Sequence, residues 1–83
     1  MRQINIAIVG LGQIGNYLYN ELITKKKDIE IKTGKKIQIV AISAKNKNKK
    51  RKFKINKKIF YKNPLDIIKH KKVDVLIEAI GFA

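Results

Sequence analysis

The chain has 83 residues, with 20 Lys and Arg against six Asp and Glu, a net charge of +14, and no cysteine. This length allows one domain at most, and a chain so short buries only about 60% of its unfolded surface. A disulfide framework and a thiolate metal site are excluded, the single His70 cannot build a histidine cluster, and no apolar run approaches the ~18 residues of a membrane span.

The N-terminus enters an apolar stretch directly, without the charged lead, apolar core and cleavage site of a signal peptide, so a cytoplasmic location is expected. The high positive charge does not by itself point to nucleic acid. All but two of the cations are Lys, and Lys, Ile and Asn together make half the chain. Specific nucleic-acid readers favour Arg, whose planar fork matches phosphate and guanine. A Lys-Ile-Asn surplus is also what an AT-biased genome writes onto any solvated surface. Nucleic acid is therefore expected to bind only non-specifically, and a local functional cluster of lysines stays open.

In chain order, Ile4–Val9 reads as a strand that is apolar on both faces after Asn5, the pattern of a buried parallel strand. Glycines follow at positions 10, 12 and 15. Ile14, Leu18, Leu22 and Ile29 then recur at helical spacing, predicting one helix from about Ile14 to Lys32 with a Glu21–Lys25 pair on another face. Gly34 supplies a left-handed cap. Ile37–Ile42 is a second strand.

Ala44–Lys58 is basic and polar, with Phe53 and Ile55 its only large apolar residues. It reads as a loop with room for one short helical turn. Ile59–Tyr61 reads as a short third strand. Asn63 and Pro64 are cap and first residue of a short helix, with Leu65, Ile68 and the stem of Lys69 as its inner face. Val73–Glu78 is the last strand. The alternation predicts an α/β fold with a parallel sheet in the order β-α-β-β-α-β.

Gly10-Leu11-Gly12-Gln13-Ile14-Gly15 matches G-x-G-x-x-G. The pattern is weak alone and gains weight from its setting, with a strand before it and a helix after it. One reading is a glycine turn without a ligand. The other is a dinucleotide cradle: Gly10 for the turn, Gly12 for close approach of a pyrophosphate, Gly15 for helix–strand packing, and the helix N-terminus for the phosphates.

The corner after the second strand bears on which dinucleotide. An NAD site usually has Asp or Glu there. Here the strand ends Ile42-Ser43-Ala44-Lys45, with no carboxylate between Ile31 and Asp66 and with Lys47, Lys49 and Arg51 close behind. Ser43, Ala44 and above all Lys45 favour the 2′-phosphate of NADP, with NAD as the alternative. The plain reading is a solvated loop in a lysine-rich chain. At the end of the last strand, Glu78 could hydrogen-bond a ribose, orient a loop or cap, and the backbone of Ile80 or Gly81 could contact the coenzyme.

The run from Ile4 to Lys47, followed by Val73-Asp74-Val75-Leu76-Ile77-Glu78-Ala79-Ile80-Gly81, resembles the N-terminal coenzyme-binding domain of homoserine dehydrogenase. The resemblance spans essentially the whole chain. It implies a Rossmann-like fold, the first part of a doubly wound dinucleotide-binding domain over residues 1–83. It implies interconversion of homoserine and aspartate semialdehyde with NADPH or NADH, in amino-acid biosynthesis. It also implies coenzyme contacts from Gly10, Gly12, Gln13, Ile14 and Gly15, and from Lys45 near the 2′-phosphate.

The chain departs from that family in two places. Phe82 follows Gly81 where the family usually has a second glycine, and Lys52-Phe53-Lys54 follow Arg51 where it usually continues with Gly and an acidic residue. The family's dimerisation strands, catalytic lysine and substrate-gripping carboxylates have no counterpart in these residues, so no turnover is expected from this chain alone. The final strand should have one unpaired edge, which would favour self-association. Another NAD(P)-dependent reductase with the same front end is the first alternative, and a basic nucleic-acid-binding module is the second.

Overall fold

The computed structural model describes residues 2–79. The strand apolar on both faces is β1 (Gln3–Val9), and Ile6, Ala7, Ile8 and Val9 are all buried. It pairs in parallel with β2 (Lys36–Ser43) on one side and with β4 (Val75–Glu78) on the other, while β3 (Phe60–Tyr61) adds in parallel to β2. The sheet order is β3-β2-β1-β4. The helices are α1 (Gln13–Thr24), α2 (Lys26–Thr33) and α3 (Pro64–His70), and a short 3-10 turn occupies Lys57–Ile59.

Alternation along β1 feeds two cores. Ile6 and Ile8 join Leu11, Tyr19, Ile37 and Ile42, and Leu22, Ile29 and Ile55 pack against them. Ala7 and Val9 face the other way, onto Ala41 and Ile67. The expected α/β parallel sheet with helical cover is what the chain forms. No helix among the described residues is long and apolar enough to cross a membrane.

Apart from strand ends (β4 starts at Val75 and not Val73, and Ile59 closes the 3-10 turn ahead of β3), three details of the fold differ from the sequence reading. The single helix expected over Ile14–Lys32 is two, joined at Lys25 (φ -103, ψ 13). The Thr24 hydroxyl donates back to the carbonyl of Asn20 at 3.0 Å, a contact that bends helices. Beyond it lie Lys25, Lys26 and Lys27, so the apolar stripe of α1 is interrupted until Ile29. The Glu21–Lys25 pair does form, at 3.0 Å, and its hydrogen bond holds the Lys25 ammonium above the usual lysine range. Gly34 is the left-handed cap at φ 70.

The second difference is in β2. The register passes from Ile6 opposite Ile39 to Ala7 opposite Ala41, so Val40 is an extra residue. A bulge resets the two-residue period. That is how Ile37, Ile39 and Ile42 all pack on the first core while Val40 and Ala41 both pack on the second.

The third is the inner face of α3. Leu65 and Ile68 are exposed at 63% and 66%, and Ile67 is the fully buried contact instead. Asn63 caps the helix as expected, its side chain accepting from the Leu65 amide at 3.0 Å. A helix of seven residues so started presents a single apolar position to the small residues Ala7, Val9 and Ala41 beneath it.

Candidate functional site

After Val9 the chain turns at Gly10, whose φ of 94 suits glycine and few other residues. The Gly10 amide donates to the Ser43 carbonyl at 2.7 Å, so the turn is fastened to the end of β2. Gly12 is different. Its φ of -71 and ψ of -164 are open to any residue, so conformation does not require glycine there. Its lack of a side chain leaves bare backbone on a cleft wall. Gly15 is held by packing, since a β-carbon there would overlap the Gly10 carbonyl oxygen and meet the Ala79 β-carbon at 3.4 Å.

Helix α1 starts on Gly12 with no side-chain cap and no acidic residue in its first turn. The first-turn amides of Gln13, Ile14 and Gly15 therefore carry the helix's partial positive charge with no side chain screening it. The helical spacing puts Ile14 on the inner face of α1. It is instead 52% exposed, and buried Asn16 and Tyr19 take that face.

The cleft beside this turn has a volume of about 600 Å³. Val9 to Gly12 form one wall and Ser43 to Asn46 the other. Lys49, Arg51, Lys62, Pro64 and Ala79 complete the lining. It sits beyond the carboxyl ends of β1 and β2, where open α/β sheets bind their ligands. The described lining holds four cations and no carboxylate.

Of the residues singled out from the sequence, Gly10, Gly12, Ser43, Ala44 and Lys45 line this cleft. Gln13, Ile14 and Gly15 form the adjoining first turn of α1. Ser43 is only 2% exposed, and Lys45 is exposed. Glu78 ends β4 opposite Val9 and is not among the described lining residues. Ile80 and Gly81 lie outside the described residues.

Sequence reasoning missed the order in the basic segment after Ala44. The Asn16 side chain donates to the Phe53 carbonyl and accepts from the Phe53 amide, both at 2.9 Å. The Asn56 amide donates to the Tyr19 hydroxyl at 3.0 Å, and the Arg51 Nε donates to the Leu11 carbonyl at 3.1 Å. Tyr17 stacks tilted on Phe53 with ring centroids 6.4 Å apart. The segment is strapped to the glycine turn and to α1. Asn16 and Tyr19, three apart on the helix, were its available signal.

Residues 4–80 match the oxidoreductase family with an NAD-binding Rossmann fold. The chain belongs to this family. It is 30% identical over 81 residues to a homoserine dehydrogenase of Neisseria gonorrhoeae, covering 98% of this chain and 18% of that protein. It is also similar to crystal structures of S. aureus homoserine dehydrogenase. At pH 7.5 the TM-score is 0.83 with 26% identity, covering 93% of this chain and 20% of that one. At pH 6.0 the TM-score is 0.81 with 27% identity, covering 94% and 20%. The chain thus spans about a fifth of the length of these relatives.

A nicotinamide dinucleotide, the family's coenzyme class, fits what this chain presents. The bare wall at Gly12 and the uncapped start of α1 suit a pyrophosphate, and the cationic, acid-free lining suits its charge.

Proposed function

We propose that this chain is the NADP(H)-binding portion of a homoserine dehydrogenase, a partial dinucleotide-binding domain over residues 1–83 that works in the cytoplasm. Gly10 and Gly12 supply bare backbone to the pyrophosphate, and the amides of Gln13, Ile14 and Gly15 donate to it. Ser43, Ala44 and Lys45 form the corner for the 2′-phosphorylated ribose, with Lys45 its cation. A backbone contact from Ile80 or Gly81 to the coenzyme belongs to the same proposal. When bound, NADP(H) supplies or accepts a hydride. The observation that carries this reading is the lysine-walled corner after β2, without the carboxylate that an NAD ribose favours.

Homoserine carries an ammonium group, which calls for a carboxylate, and the described cleft lining has none. Interconversion of homoserine and aspartate semialdehyde is therefore proposed for the larger enzyme and not for this chain by itself. Fluorescence titration of the chain with both coenzymes tests the reading. NADPH should bind more tightly than NADH, and Lys45→Glu should narrow or reverse the difference. Tighter binding of NADH by the unmutated chain would overturn it.

A further inference from the structure

Arg51 stands out first by composition. The sequence has only two arginines among its 20 cations, so where a cation needs only charge this chain uses Lys. Position 51 uses the planar fork instead, and the fork is occupied. Nε donates to the Leu11 carbonyl at 3.1 Å, Nη1 to Lys49 at 3.1 Å and to Lys47 at 3.4 Å, and Nη2 to Asn46 at 2.7 Å, all backbone oxygens. A guanidinium has five N–H groups, so one is left for any ligand.

These bonds gather the carbonyls of Asn46, Lys47 and Lys49 around one side chain and tie them to the glycine turn through Leu11, which is 3% exposed. Just beyond Arg51, the reciprocal bonds between Asn16 and Phe53 fix the exit of the same loop. Lys45, just before the gathered stretch, and Lys49, its last residue, both line the cleft.

We propose that Arg51 is a positioning residue: it clamps residues 46–49 into an arch fastened to the glycine turn, and it sets NADPH selectivity through Lys45 and Lys49 without being the phosphate ligand itself. The selectivity half rests on the NADP(H) reading above, and the clamp half rests on geometry alone. Lysine cannot replace the fork, because its three donors radiate from one atom and cannot reach four carbonyls spread around a plane. A residue acting by charge would tolerate Lys.

The test uses the full chain with Arg51→Lys, Arg51→Ala, Lys49→Ala and the Arg51→Ala/Lys49→Ala double variant, each checked for parental helix content by circular dichroism. Two quantities are read: amide hydrogen exchange across residues 46–50, and dissociation constants for NADPH and NADH. Both Arg51 variants should exchange faster over 46–50. Both should lose about tenfold in NADPH affinity, the scale of one lost charge-assisted contact, with NADH changed by less than about threefold. The double variant should lose less than the two single losses combined, because part of the effect of Arg51 runs through Lys49.

Parental NADPH affinity in Arg51→Lys, or additive losses in the double variant, would overturn the proposal by making Arg51 a ligand in its own right. If the unmutated chain does not prefer NADPH, the NADP(H) reading fails by itself. Exchange over 46–50 that Arg51→Ala leaves unchanged removes the clamp whatever the coenzymes do.

Discussion

Asn16 and Phe53 exchange two hydrogen bonds, the side-chain amide of one against the backbone of the other, both at 2.9 Å. Asn16 is 3% exposed, and both bonds are partly buried. Asn16→Ala should cost about 1–3 kcal/mol, the penalty for leaving partly buried backbone groups unpaired. Asn16→Asp should cost at least as much, since its carboxylate can accept from the Phe53 amide but would face the Phe53 carbonyl. Urea unfolding of the three chains measures this, and parental stability in both variants would show that the basic segment is not held by this pair.

Gly15 and Gly34 predict opposite kinds of damage. A β-carbon at Gly34 meets nothing within 4 Å, and the strain is only that of φ 70. Gly34→Ala should therefore cost about 1–2 kcal/mol, the penalty of the left-handed region, and leave coenzyme binding alone. Gly15→Ala puts its β-carbon against backbone at Gly10, which cannot swing aside. It should destabilise the chain more than Gly34→Ala and weaken coenzyme binding by shifting the turn. Thermal melts and a coenzyme titration of both variants check the order.

At Gly12 the backbone is ordinary, and the reason proposed for glycine is close approach of the coenzyme. Gly12→Val should abolish coenzyme binding while circular dichroism keeps the parental helix content. Retained binding would move the pyrophosphate away from this turn.

Val75 and Leu76 are 42% and 51% exposed on β4, the strand at one edge of the described sheet. The strand contains neither Lys nor Pro, the usual guards of an edge. The chain should self-associate in solution despite its charge, and Leu76→Lys should shift it toward monomer in sedimentation. A parental chain that is monomeric at high concentration would contradict this.

What was legible in the sequence was what periodicity and punctuation encode. β1 declared itself by apolar residues on both faces, and the Asn63-Pro64 start and the Gly34 stop follow from local backbone chemistry. The glycine motif could be placed because a strand preceded it and a helix followed. The bulge at Val40 was not legible, because Ile37-Gln38-Ile39-Val40-Ala41-Ile42 reads as one strand until the register against β1 is known. Nor was the inner face of α3, where two exposed apolar residues outnumber the single buried one. The strap from α1 to the basic segment escaped because it consists of side chain-to-backbone bonds between residues 37 apart, and such bonds leave no periodic trace.

The central claim is that the glycine turn and the corner after β2 together bind a 2′-phosphorylated dinucleotide. Backbone amide NMR of the chain, titrated with NADPH and separately with NADH, tests it most directly. NADPH should shift the amides of Gly10 to Asn16 and of Ser43 to Asn46 most strongly. NADH should reproduce the first set and leave the second weaker. Shifts centred on α2, or on the hollow of about 210 Å³ beside Tyr19, Leu22 and Ile37, would contradict the account.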